Sequence, residues 1–202
     1  LVENNSITKY FSYPKGFTLG DLQYPKDIFT KWSVSEKEAI GIYEVVFDDS
    51  NKKDEQWYIN TNQSFAFADG TVTASYGTAT PKAHADTLWT QQDSDDGDLP
   101  DDKEVGDVKV EGLKTQLIRT LKQQVAGILQ DTDWYITRNA EKSTAIPSAI
   151  STYRDSVRTK QASMETAITN ASDTPALETL YTYTTTDGVQ SRPLGELPTL
   201  EI

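Results

Sequence analysis

Few residues of this chain have the type and spacing that catalysis requires. His84 is the only histidine, and no partner at a known spacing completes a catalytic triad or a His-Glu-x-x-His zinc site. The absence of cysteine excludes disulfides, thiol nucleophiles and cysteine-based metal sites. No glycine-rich phosphate-binding motif occurs either. We therefore expect no catalytic residue, cofactor or metal, and we expect His84 to lie at the surface or at a strand end.

The densest group of carboxylates lies at residues 93–107, which contain eight acids and one lysine. Two carboxylates suffice for glycoside hydrolysis only where the fold fixes their separation. Calcium binding is an alternative, since paired acids around a glycine resemble a calcium-binding loop. An EF-hand loop needs glycine at its sixth position, however, and in a loop that starts at Asp93 the glycine, Gly97, is at the fifth. Because Gly97, Pro100 and Gly106 interrupt the acids, the composition favours a solvated linker over 93–107.

The aromatic residues are the other candidates for function. Four Trp and ten Tyr could line a sugar site or an interface. Leu, Ile, Val and Phe together make up only about 21% of the chain, close to the ~20% at which chains tend to stay disordered. Most aromatic rings should therefore belong to a thin core, and neighbouring subunits of a homo-oligomer should cover part of the apolar surface.

Net charge limits the partners of this protein. The 202 residues have a formal net charge of −12, seven units of which belong to 93–107. Nucleic acids bind clustered Lys and Arg, so the sequence predicts no nucleic-acid partner. The apolar runs of the sequence are far shorter than the ~18 residues of a membrane span, so we expect no membrane insertion. The sequence does not open with a cationic segment followed by an apolar one, so it does not predict secretion.

The first 92 residues have the alternation and turns of a β-rich domain with short helices. We predict a hairpin of residues 6–13 and 17–24, and short helices at 25–31 and 33–40. Ser33 and Glu36 have the spacing of a capping box. Asp69-Gly70 predicts a two-residue hairpin turn between two strands. The remaining strands are expected at 42–47, 56–60, 63–68 and 71–78.

Helical periodicity replaces this pattern over residues 108–172. One apolar stripe is Val110, Leu113, Leu117, Leu121, Val125 and Ile128, preceded by Asp107 as the expected N-cap. A second stripe is Ile146, Ile150, Tyr153, Val157, Met164 and Ile168. These predict a two-helix hairpin, followed by an extended C-terminal arm over 173–202. The predicted fold class is α+β: a β-rich domain at 1–92, an acidic linker at 93–107, the hairpin and the arm.

Two stretches resemble proteins of tailed bacteriophages. Residues 20–42 resemble a segment common in tail proteins, in which Tyr24-Pro25 precedes a short helix and an acidic helix ends in Ala39-Ile-Gly-Ile before a strand. The second stretch contains Asp131-Thr-Asp-Trp-Tyr-Ile-Thr-Arg138 and then Tyr153-Arg-Asp-Ser-Val-Arg158. It is similar to the tail-fibre and tail-assembly-chaperone-like helical domain, in which Thr-Asp-Trp is followed by a Tyr-Arg-x-x-aliphatic-Arg helix.

The residues of the second stretch also predict a physical arrangement. Arg154 and Arg158 are four residues apart on one helix face, where they could hold Asp131 or Asp133. Trp134 is expected to cap the apolar seam between the helices. We expect seven residues to have structural or interface roles: Trp32, Asp133, Trp134, Arg138, Tyr153, Arg154 and Arg158.

The resemblance implies an assembly role in a phage tail. The β-rich first half, the acidic linker and the C-terminal arm favour a virion component of the tail tip, baseplate or fibre attachment. Such a protein would be assembled in the host cytoplasm, and its partners would be fibre, baseplate or tail-tube proteins. Two alternatives remain open: a tail-fibre assembly chaperone that leaves the finished particle, and an adhesin module that binds host glycans through Trp and Tyr.

Overall fold

The computed structural model describes residues 1–200 and confirms the α+β class, with 36% helix and 20% strand. Within those residues the helices are α1 (Ile28–Lys31), α2 (Val34–Glu38), α3 (Gln91–Asp95), α4 (Leu113–Gln130), α5 (Asp133–Lys142), α6 (Ser148–Asn170) and α7 (Thr174–Tyr181). The strands are β1 (Val2–Glu3), β2 (Ser6–Ile7), β3 (Phe17–Leu19), β4 (Leu22–Tyr24), β5 (Val45–Asp48), β6 (Tyr58–Ile59), β7 (Ser64–Ala68), β8 (Thr71–Ser75), β9 (Thr80–Pro81), β10 (Thr87–Leu88), β11 (Val108–Val110), β12 (Thr184–Thr186) and β13 (Val189–Ser191).

The chain forms two compact units, Leu1–Thr80 and Pro81–Ile202. The sequence placed the end of the first domain at residue 92 instead. Residues 81–92 belong to the second unit because their backbone binds its helices. Leu113 N donates to Ala83 O at 2.9 Å, and Thr174 Oγ1 donates to Lys82 O at 2.6 Å.

A three-stranded sheet in the order β5-β8-β7 is the largest sheet of the first unit. β5 is parallel to β8, and β7 is antiparallel to β8. Asp69 and Gly70 connect β7 to β8 with φ of 51° and 75°, which is the backbone of a type I′ hairpin turn. The predicted turn at Asp69-Gly70 is therefore confirmed.

The N-terminal hairpins differ from the prediction. β1 pairs with β2 around Asn4-Asn5, and β3 pairs with β4 around Gly20-Asp21, so residues 6–13 and 17–24 do not pair as one hairpin. Asn4 and Asn5 adopt positive φ, which asparagine tolerates better than most residues, and this permits a tighter turn than Pro14–Gly16.

Aromatic side chains surround the core of this unit. Its buried centre is Phe17, Ile28 and Ile42, packed against Phe11, Tyr24, Phe29 and Trp32 among others. Ser33 and Glu36 form the predicted capping box: Ser33 Oγ accepts from Glu36 N, and Glu36 Oε2 accepts from Ser33 N.

In the second unit, α4 packs against α6 through the predicted stripes. Leu113, Leu121 and Val125 are buried on α4, as are Ile150 and Val157 on α6. The start of α4 differs from the prediction, because 108–110 form strand β11 paired with β10, and Val110 is exposed.

Gly112, not Asp107, is the N-cap of α4. Its N–H donates to Asp86 Oδ1 at 2.7 Å, and Asp86 Oδ2 accepts from Thr115 Oγ1 at 2.8 Å. A Cβ at residue 112 would lie 2.3 Å from the Ala85 backbone, so the position requires glycine.

Regular structure also occupies two segments that were expected to lack it. The connection between the long helices contains α5, so this part of the unit has three helices and not a two-helix hairpin. The first part of the predicted arm forms α7, which Asp173 caps by accepting from Ala176 N at 2.8 Å. β12 and β13 then form a hairpin. These capping and turn interactions, which are local, explain why residues 174–191 form a helix and a hairpin instead of a single extended arm.

The acidic segment 93–107 is a closed loop rather than an open linker. Thr90 and Asp93 form a capping box at the start of α3, and Asp93 also pairs with Lys109. Trp89 N donates to Asp107 O at 2.9 Å, and Gly106 N donates to Trp89 O at 2.8 Å. Hydrogen bonds at both ends therefore hold the acids in one loop.

We expect Asp93 to control the closure of this loop. The hydrogen bond from Lys109, followed by those from Thr90, lowers the pKa of Asp93 from 3.8 to about 2. Because the pKa is lower in the folded chain, the contact stabilises the fold fully above pH 3.8, and this stabilisation is lost as the pH falls through about 2. A carboxyl-carbon NMR titration should give a midpoint near 2 for Asp93.

The variant Asp93→Asn should increase hydrogen exchange at the amides of Trp89 and Gly106 several-fold, because it weakens the interaction with Lys109. Asp101→Asn is the control. Asp101 lies in the same loop but makes no hydrogen bond or ion pair within residues 1–200, so its replacement should leave both exchange rates unchanged. A midpoint at 3.8, or equal rates in the two variants, would contradict this role.

Candidate functional site

Arg154 joins the two parts of the second phage-like stretch. It lies on α6 with only 7% of its surface exposed. Nη1 donates to Leu129 O at 2.8 Å and to Thr132 Oγ1 at 2.6 Å, and Nη2 lies 2.9 Å from Asp133 Oδ1. Asp133 is thus the acid that Arg154 holds, one of the two that the sequence allowed.

This arrangement fixes the turn between α4 and α5. Leu129 O belongs to the last turn of α4, where carbonyl groups have no partner within the helix and where a positive charge is favourable. Thr132 is 2% exposed and both accepts from Arg154 and donates to Leu129 O at 3.0 Å. Arg154 therefore satisfies a helix end, a buried hydroxyl and a carboxylate at once, which is a structural role.

The other predicted residues of this stretch lie elsewhere. Arg158 is exposed and pairs with Asp155 at 3.5 Å, so it does not assist Arg154. Tyr153 is half-buried on α6. Trp134 does not cap the seam: it is 51% exposed, because Thr132 and Arg154 fill the junction instead.

The exposed Trp134 forms a small cluster with the half-buried Tyr135 and Arg138 on α5. Its ring centroid is 3.9 Å from that of Tyr135, and the Arg138 guanidinium lies 4.6 Å from the Trp134 ring. The Nε atom of Arg138 has no hydrogen-bond partner within residues 1–200. The exposed Trp134 ring thus lies beside a half-buried cation whose Nε is inaccessible to solvent.

The remaining tryptophans are mostly structural. Trp57 is buried, and Trp32 packs edge-on against Tyr24 with ring centroids 6.0 Å apart. Trp89 is half-buried beneath Lys109, whose Nζ lies 4.3 Å from the ring centre. Trp32, predicted as a structural or interface residue, lies against the core of the first unit.

The first unit contains a surface that the sequence did not single out. The register places six apolar side chains on one face of the β5-β8-β7 sheet, because paired residues and alternate residues share a face. We call these residues the open sheet face: Val45, Phe47, Phe65, Phe67, Val72 and Ala74. Val72 and Ala74 are buried, but Phe47 is 64% exposed.

A groove of about 800 Å³ lies over this face. Its opposite wall includes Tyr10 and Phe11, and the Tyr10 ring lies 4.8 Å from Phe65. Clefts of a few hundred to a thousand Å³ with mainly apolar walls are typical of binding sites. The alternation of Phe65 and Phe67 in the sequence indicates that the two side chains share one face of a strand. It does not indicate whether other parts of the chain cover that face.

Three charged side chains line the groove: Lys9, Lys37 and Glu44. Lys37 is buried and donates to Glu44 Oε1 at 2.7 Å. This hydrogen bond lowers the pKa of Glu44 from its ordinary value. Lys9 lies 5.5 Å from the Phe11 ring centre and makes no ion pair within residues 1–200. The groove therefore has an exposed cation beside its apolar walls.

Within residues 1–200, no group of three or more acidic or histidine side chains is placed to hold a metal ion. His84 is half-buried, and its carbonyl accepts from Lys114 N at 3.0 Å. No helix in the same range is long and apolar enough to cross a membrane.

No family model, curated protein or solved structure matches this chain.

We expect Arg154 to be the main polar determinant of stability in the helical unit. Arg154→Met should lower the free energy of unfolding by about 2 kcal/mol, because Leu129 O and the buried Thr132 hydroxyl lose a charged donor. Urea unfolding followed by helical circular dichroism measures the change.

Arg158→Met is the matched control, since it removes an exposed arginine from the same helix. Its effect should stay within about 0.5 kcal/mol. Equal losses of stability in the two variants would show that the Arg154 contacts are not special.

Proposed function

We propose that this chain is a structural protein of a tailed-phage virion, located in the tail tip, baseplate or fibre attachment. It acts by binding other copies and neighbouring tail proteins during assembly in the host cytoplasm. The observation on which the proposal chiefly depends is the open sheet face, where Phe47 and Phe65 are exposed beside a groove. Exposed apolar surface of this kind is typical of a contact site between proteins.

The two phage-like stretches support the same proposal. In the second stretch, Asp133 and Arg154 are in contact although 21 positions separate them, so the residues of the resemblance form one physical unit. In the first stretch, Tyr24 and Trp32 pack against the core of their unit. The residues that carry the resemblance thus stabilise each unit internally. None of them belongs to the open sheet face, which is therefore available for partners.

Mass spectrometry of purified particles tests the virion role. The expected result is that the chain copurifies with intact phage, remains after washing at high salt, and has a fixed ratio to the other tail proteins. A reasonable control is a non-structural protein of the same phage, which should be lost during purification. Presence in infected cells together with absence from particles would contradict the proposal and favour the assembly chaperone.

The exposed Trp134 cluster favours glycan binding as a second candidate. Trp134 presents an exposed aromatic ring with the half-buried Tyr135 beside it, and the Arg138 guanidinium lies 4.6 Å from the Trp134 ring centre. An aromatic ring with a neighbouring polar group suits a ligand that is partly apolar and partly polar.

A glycan array with matched variants tests this candidate. Under the adhesin hypothesis, Trp134→Ala should reduce binding at least tenfold, about the 1.4 kcal/mol expected from the loss of an exposed aromatic contact. Ile136→Ala removes a neighbouring exposed side chain of α5 and should retain binding. Absence of any bound glycan, or equal loss in both variants, would exclude Trp134 as the site.

A further inference from the structure

We propose that two copies of this chain associate through the open sheet face to form a two-fold symmetric dimer. The inference rests on the proposed assembly role and identifies its first contact as one between copies. It concerns the first unit only, and it depends on the sheet register, the shape of the groove and the charges that line it.

The sheet has one apolar and one polar face. On β8, Val72 and Ala74 point to the apolar face, whereas Thr71, Thr73 and Ser75 point to the other. A sheet of this pattern is stable when its apolar face is covered, and two such sheets pack about 10 Å apart with interdigitating side chains. Within one copy the cover is incomplete, because the groove lies over the face and Phe47 remains exposed.

The shape of this surface suits a second copy of itself. A two-fold contact uses the same surface on both molecules, so the surface must contain both a recess and a protrusion. The groove is the recess. Phe47, which is 64% exposed, and Tyr10, which is 57% exposed, are protruding aromatic side chains at its walls. Each copy can therefore place its aromatic rings in the groove of the other.

The charges favour a second copy as the occupant. Two chains of net charge −12 repel each other, so they associate best where acids are few. The groove is lined by two lysines and one acid. Lys9 makes no ion pair within residues 1–200, and the Glu44 side chain is 72% exposed although it binds Lys37. Each copy thus offers the other a cation, Lys9, and an accessible carboxylate, Glu44. A second copy can form ion pairs with both groups, whereas a purely apolar ligand cannot.

The mass of the purified chain in solution tests the proposal. At roughly 0.1 mM, light scattering after gel filtration should give twice the 22.5 kDa of one chain. Phe47→Asp should increase the dimer dissociation constant at least roughly thirtyfold, because it removes an aromatic anchor of the interface from each copy. Tyr10→Asp should weaken the dimer in the same direction, and it lies outside the strands, so the sheet itself stays intact.

Val46→Asp is the matched control. Val46 is adjacent to Phe47 on β5 and nearly as exposed, at 54%, but it points to the opposite face of the sheet. The proposal requires this variant to remain dimeric, with circular dichroism confirming that every variant is folded. A monomeric parent chain at 0.1 mM, or equal effects of Phe47→Asp and Val46→Asp, would overturn it.

The outcome is separable from the test of the virion role. A monomeric chain that copurifies with particles would refute self-association and leave the virion role intact. A dimer whose Phe47 and Val46 variants behave as expected, in a chain absent from particles, would refute the virion role and leave the interface intact. A heteromeric partner that binds the open sheet face of a monomeric chain would also refute the dimer.

Discussion

The small number of aliphatic side chains limits what each unit of this protein can bury. Leu, Ile, Val and Phe account for about 21% of the residues, and they must supply the core of two units. Burial of apolar surface contributes roughly 25 cal/mol per Å², so a shortage of such side chains directly reduces the stability available to each unit. The strands are correspondingly short, from two to five residues.

Each unit compensates for this shortage differently. In the first unit, aromatic rings supply the area that aliphatic residues would otherwise supply: Phe11, Phe17 and Phe29 are mutually in contact. In the second unit, Arg154 occupies the junction between helices and satisfies polar groups that an apolar side chain would leave unpaired. On the sheet of the first unit, Tyr10 covers part of Phe65, but Phe47 remains 64% exposed, so this surface is the one best suited to contact another molecule.

Local signals allowed the sequence to predict part of this fold. The Asp69-Gly70 turn, the Ser33-Glu36 capping box and the buried positions of α4 and α6 each depend on residues close together in the chain. The predicted start of α4 was wrong because β10, some twenty residues earlier, pairs with 108–110. A pairing between distant segments leaves no periodic signal in either one.

The candidate sites show the same distinction. An arginine on one helix and acids in the preceding connection predicted the Arg154 contact, and only the choice between Asp131 and Asp133 needed the structure. The open sheet face could not be predicted, because its exposure depends on the order β5-β8-β7 and on the position of Tyr10 across the groove. Trp134 was expected to be covered, yet a buried threonine and arginine occupy the place assigned to it.

Hydrogen–deuterium exchange at two protein concentrations tests directly whether the open sheet face is a contact surface. At high concentration, we expect slower exchange in peptides that contain β5 and β7, whereas α5, which bears the exposed Trp134, should exchange at the same rate at both concentrations. Exchange of β5 and β7 that is independent of the concentration of the purified chain, and no slower in assembled particles than in the free chain, would contradict this.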